Sequence, residues 1–392
     1  MTRSRLKLGY FTLEATNSFA ATFYLYYLFF LTRDQFGFTS RDNLFVTAIH
    51  GFVYMFASWQ GGRFSQRFGY FNALRLGYAG MAAGLTLGLL IPGIAGQIIA
   101  LAAWTVPLCL IWPTLEALVT EGEDFHGTAR MVGIYNLVWS AASALAFCTG
   151  GLLWQKLGKQ GLFGIPITLM LAQLVLTLWL ERHAKRLPPV QKAAREDEHL
   201  PECNASKQPV PPKRFLQMAW LANPFAYVAI NTVAAVIPQL AEKFQLSAAQ
   251  SGVFCSLWFY VRFIAFAFLW KWIGWHYRFR WLISAFVGLV FGFWALLMAP
   301  QFWVVVVAQV IFGVSIGLIY YSSLFYSMDA GDSKGEHGGF HEAAIGLGIF
   351  AGPALGAATL TFLPQFPNSG AMAVSGVLVC GALGLIGLRM KK

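Results

Sequence analysis

Four charged residues sit inside stretches that are otherwise apolar: Glu14, Glu116, Arg262 and Glu342. His50 and His341 join them. A charge at the centre of a bilayer helix costs at least about 2.5–3.5 kcal/mol, so such groups face a cavity or a partner. Three chemistries follow from the residue types. A carboxyl whose solvation changes can take up and release a proton. A guanidinium can hold an anionic group in a planar fork. An imidazole titrates near neutral pH and can relay protons.

Arg262 lies in the middle of the run from Phe259 to Ile264, too deep for its head to reach water easily. It is read as an anchor for an anionic substrate or an exchangeable partner of a carboxylate. The plainer reading is a static ion pair. Glu14 and Asn17 are three apart, so they share a helix face. The alternative for Glu14 is an interfacial carboxylate at a helix start, favoured by the helix dipole. Glu116 follows Trp112, Pro113 and Thr114 and is read as a second cavity carboxyl. Glu342 is the candidate for proton coupling. His50 is either a proton relay or a hydrogen-bonded structural residue. Tyr320, Ser323 and Ser327 share a face and suit a polar substrate or water, or hydrogen bonds between helices.

His337 and His341 are four apart beside Glu342 and could share a metal. Glycines weaken the helix there and no further ligand is evident, so the expectation is a polar gate. Neither metal nor cofactor is expected. Cys109, Cys148, Cys203, Cys255 and Cys380 form no CxxC pair and read as plain thiols.

These residues need elements to hold them. Twelve apolar stretches run through the 392 residues: 9–31, 44–62, 72–93, 95–119, 130–153, 161–180, 215–239, 249–273, 281–299, 301–327, 339–362 and 370–388. Each is near the length of about 20 residues that spans a bilayer, and each must be helical to pair its backbone groups in lipid. The chain is 57% hydrophobic and 11% charged, against about 25% charged in soluble domains. The fold class is therefore an all-α membrane protein. Residues 1–180 and 215–392 each hold six spans. The polar, proline-rich segment 181–214 reads as a linker.

A net charge of +11 would suit nucleic acid, but its placement points to lipid. With both termini on one side, that side carries 22 of the Lys and Arg and the other carries five. This is the positive-inside bias and puts the termini in the cytoplasm. The halves also align. Asp34 matches Glu242, while Asn136 matches Glu342 at an offset of 206. Parallel six-span repeats place a substrate site at the midplane between halves. The chain has no phosphate-binding loop for a primary pump and no HExxH or serine–histidine–acid set, so no enzyme is expected. A membrane sensor would need a soluble domain, which is absent from the pattern.

The stretch Gly62-Arg-Phe-Ser-Gln66-Arg67-Phe-Gly69 resembles the G-x-L-A-D-R-x-G loop of the major facilitator superfamily. Gly348-Ile-Phe-Ala-Gly352-Pro353-Ala-Leu-Gly356 is similar to the glycine–proline pattern of its proton-driven exporters, here in span eleven rather than span five. The resemblance implies two pseudo-symmetric six-helix bundles and alternating access to a central site. Gln66 replaces the family's loop acid, so a charge-based latch is in doubt, although Gln66 could cap a helix end. Span two lacks the carboxylate of the family's sodium-coupled sugar carriers, which favours protons. The reading is a secondary transporter for a small organic solute, proton-coupled and exporting. Its alternative is an uptake symporter or facilitator for a small polar or anionic metabolite. The expected setting is a bacterial inner membrane, as a multi-pass monomer.

Overall fold

The computed structural model describes residues 3–188, 210–329 and 334–390, with backbone alone at 125, 328–329 and 334–341. Among the described residues all regular structure is helical. The first half holds α1 Arg3–Phe36, α2 Ser40–Phe68, α3 Tyr70–Leu90, α4 Gly93–Thr120 and α5 Phe125–Ala184. The second holds α6 Pro212–Lys243, α7 Ala248–Cys255, α8 Leu257–Lys271, α9 Phe279–Met298, α10 Phe302–Asp329, α11 Lys334–Phe362 and α12 Ser369–Met390. Nine helical segments among the described residues are long and apolar enough to cross a membrane.

Helix α5 has 60 residues, which would run about 90 Å if straight, some three bilayer cores. It breaks at Gly158, whose φ of +53° suits glycine. On either side of the break, Gly150 packs on Tyr27 of α1, and Leu180 covers Gly9 of the same helix. The two arms of α5 therefore run antiparallel along α1. They correspond to the expected spans 130–153 and 161–180.

The expected span 249–273 appears as one apolar segment, Ala248–Lys271. It is locally irregular at Ser256, between α7 and α8, where the Phe259 and Tyr260 N–H groups bond to the Ser256 carbonyl at 3.0 and 3.2 Å. The stretch 62–68, expected as a loop, is helical and completes α2. The turn proper is Gly69, at φ +92°, and its N–H caps Ser65 O at 2.9 Å. Gln66 makes no cap, because the glycine backbone already satisfies that helix end.

Contacts between the halves seal the end opposite the chain termini. Arg33 Nη1 donates to Pro238 O at 3.1 Å, and Gln239 Nε2 donates to Phe38 O at 3.4 Å. Leu44 packs with Ala235 and Ala357. Glycines permit closer approaches along the seams. A Cβ at Gly151 would sit 2.0 Å from Ala248 O, and one at Gly51 would sit 2.3 Å from the Phe350 nitrogen. Both are inside van der Waals contact, so only glycine fits.

Candidate functional site

A cavity of about 170 Å³ lies between the halves. It is lined from α1, α2, α4 and α5 on one side and α6, α8, α10 and α11 on the other. Its walls bring together Glu14, His50, Glu116, Arg262, Tyr320 and Glu342. These six of the sequence candidates, spread over more than 300 residues, share one space.

Glu14 is fully buried. Ser18 Oγ donates to its Oε1 at 2.7 Å, and Tyr135 OH donates to its Oε2 at 2.9 Å. Eleven residues separate it from the start of α1, about 16 Å along the helix. The reading of an interfacial carboxylate at a helix start is therefore overturned. Glu342 accepts from Tyr54 OH at 2.5 Å, which joins α11 to α2 across the interface. Among the described residues, no cation pairs with Glu14, Glu116 or Glu342. His50 Nδ1 lies 2.8 Å from Thr105 Oγ1, with its ring 6.0 Å from those of Tyr54 and Trp104. It is both hydrogen-bonded and in the cavity wall.

Arg262 is 7% exposed and forms no ion pair among the described residues. The static ion pair given as its plainer reading is not found among the described residues. Its guanidinium instead lies over three rings: Trp139 at 4.6 Å, Phe259 at 4.9 Å and Trp258 at 5.3 Å. A desolvated cation–π contact contributes about 2 kcal/mol, yet it uses none of the five guanidinium N–H groups. Nε, buried, has no hydrogen-bond partner. Trp139 belongs to α5 and Arg262 to α8, so this cage also bridges the halves.

Three sequence candidates stand behind the wall rather than in it. Asn136 accepts from Trp139 Nε1 at 2.8 Å, so it fixes the indole that covers Arg262. Asn17 is fully buried, with neither side-chain polar atom partnered among the described residues. The cavity face of α1 runs through Glu14, Ser18, Ala21, Thr22 and Leu25, and Asn17 falls beside it. Ser323 is buried, and its carbonyl accepts from Ser327 Oγ at 2.7 Å. Ser327 in turn accepts from Trp220 at 2.8 Å, so that end of the hydroxyl face ties helices together. The side chain of His341 lies outside the described residues.

The motif residues are structural in their contacts. A Cβ at Gly348 would meet Pro224 O at 2.4 Å, and one at Gly352 would meet Val228 O at 2.7 Å. Both pack α11 on α6, beside Pro353 within the same helix. Gly356 faces Leu44 of α2. At Gly62 there is open space, whereas Gly61 takes the close approach, 2.2 Å from Cys109 O. Arg67 is exposed and stacks on Phe68 at 5.3 Å.

Sequence reasoning missed the aromatic walls supplied by α2, α4, α5 and α6. Tyr54, Trp112, Tyr135, Trp139 and Tyr227 line the cavity, but an aromatic in an apolar span has no contrast with its neighbours. The one available signal was the spacing of Asn136 and Trp139, three apart on one face.

No curated protein shows a significant sequence match to the chain. Solved structures share its fold. The nucleoside transporter NupG superposes with a TM-score of 0.68 at 12% identity, covering 99% of this chain and 100% of that one. The human organic anion transporter MFSD10 (TETRAN) gives 0.69 at 15% identity, covering 99% of each chain. The POT family transporter PepTSo gives 0.72 at 13% identity, covering 99% of each. A family model described as Major Facilitator Superfamily matches residues 8–230. That match takes in more than half the sequence, and the chain belongs to the Major Facilitator Superfamily, as an integral multi-pass membrane protein.

Proposed function

We propose that the chain is a secondary active transporter that moves a small organic solute by alternating access, driven by protons. The halves 1–180 and 215–392 rock about the cavity, and segment 181–214 links them. The observation that carries the proton reading is the set of three carboxyls, Glu14, Glu116 and Glu342, in one cavity without a cationic partner among the described residues. Their solvation must change when the cavity opens to the other side. A carboxyl in that position binds a proton in one state and releases it in the other. Tyr54 ties the fate of Glu342 to the interface between α2 and α11, which must part during rocking. Export is the direction assigned, on the resemblance of Gly348–Gly356 to the exporters' motif. Uptake of an anionic metabolite is the second reading, favoured by the unpaired guanidinium of Arg262.

The test needs no substrate. Spin labels at positions 121 and 271, in a variant without native cysteines, report the width of the terminus-side mouth. In lipid nanodiscs the parent's distance distribution should change between pH 5 and pH 8. The variant Glu14→Gln, Glu116→Gln, Glu342→Gln should hold one distribution throughout. A triple variant that responds like the parent would remove these residues from coupling.

A further inference from the structure

The cavity has two chemically distinct regions. Arg262 lies in the one toward the sealed end, where Tyr26 packs on Phe259 at 5.3 Å. Glu14 marks the other, through Tyr135. Tyr135 and Trp139 are one turn apart on α5, about 6 Å along the axis. A cationic pole and an acidic region are thus stacked along the same helix face.

Arg262 asks for an acceptor. It is buried, its Nε has no partner, and no carboxylate meets it among the described residues. A buried donor in a cavity wall is completed by ordered water, an ion or a bound group, and the two terminal guanidinium nitrogens make no hydrogen bond among the described residues either. A guanidinium fork matches the two oxygens of a carboxylate or the oxygens of a phosphate or sulfonate. The surroundings add a shape. Nine of the 24 lining residues are Phe, Tyr or Trp, against 16% of the whole chain. Trp139 meets Tyr320 edge-on at 5.6 Å, and Asn136 holds the Trp139 indole from behind. Rigid ring faces of this kind favour flat π-systems through offset or edge contacts. Beyond them the walls present Glu14, Glu116 and Glu342, which offer nothing to a second negative charge.

We propose that the solute carried is a planar aromatic monoanion, its acidic group seated on Arg262 and its ring against Trp139 and Tyr320, with Asn136 as a positioning residue for Trp139. This rests on the transporter reading for the word solute, but the site's chemistry stands on its own contacts. Because Trp139 and Arg262 belong to opposite halves, a bound anion touches both and ties occupancy to their closure.

Naphthalene-2-carboxylate is a suitable probe. Its controls are 2-naphthamide without the charge, decahydronaphthalene-2-carboxylate without the flat ring, and naphthalene-2,6-dicarboxylate with a second charge. Binding is measured by calorimetry on protein in nanodiscs at one fixed pH, against empty nanodiscs. The monoanion should bind at least tenfold tighter than each control. Arg262→Gln should weaken it by on the order of tenfold to a hundredfold. Arg262→Lys keeps the charge without the planar fork, should weaken it less, and serves if the glutamine variant does not fold. Asn136→Ala should shrink the preference for the flat acid over its saturated analogue, a ratio that a merely structural defect would leave unchanged. Equal binding of acid and amide, or of monoacid and diacid, overturns the proposal, as does undiminished binding in both Arg262 variants. The pH response of the mouth is read separately. Failure there with binding intact removes proton coupling, and the reverse removes the solute class alone.

Discussion

Arg262 and His50 solve the same problem in different ways. Both are polar groups that apolar helices carry into the cavity wall. His50 is satisfied inside the first half by Thr105, 2.8 Å away. Thr105→Val leaves the imidazole without this partner and should lower stability by about 1–3 kcal/mol. A fall in thermal midpoint relative to the parent would register it, and an unchanged midpoint would mean that water replaces the hydroxyl at no cost. Arg262 has no hydrogen-bond partner of that kind among the described residues, only the three rings, and we read its open donors as a site for a ligand.

At the scale of elements, the glycines of α11 fall into two classes that the sequence does not separate. Gly352 packs on Val228 of α6, within the second half. Gly346 packs on Met55 of α2, where a Cβ would sit 2.5 Å from the Met55 Cα, across the interface between the halves. Overpacking a tight contact costs about 1–3 kcal/mol. Gly352→Leu should therefore lower the thermal midpoint and leave the 121–271 distance distribution as in the parent. Gly346→Leu should change that distribution, because it pushes the halves apart on one side only. If the two variants give the same distance change, the seam between halves is not where α11 regulates access.

For the whole molecule, the cavity and the sealed end define an axis, and charge orients it. Lys and Arg crowd the end with the termini, and on the positive-inside bias we propose that this end faces the cytoplasm. A cysteine introduced at position 41 or 159 should react with an impermeant maleimide on intact cells. One at position 67 should react only after the membrane is opened. Labelling of position 67 from outside would invert the orientation and, with it, the side to which the cavity opens.

Sequence by itself determined the helical membrane character, because lipid allows few alternatives to a helix and about 20 apolar residues are needed to cross it. It also exposed the buried charges, since Glu14, Glu116, Arg262 and Glu342 contrast sharply with their neighbours. Aromatic walls gave no such contrast beyond the three-residue spacing of Asn136 and Trp139, and the roles of Asn17 and Ser323 could not be read from spacing. A shared helix face does not say which neighbour that face meets. Tertiary structure alone decided that Arg262 meets Trp139 of the other half, that Glu342 meets Tyr54, and that six polar residues spread along the chain share one cavity. Each of these depends on contacts between segments far apart in the chain, and the pattern within any one helix carries no record of them.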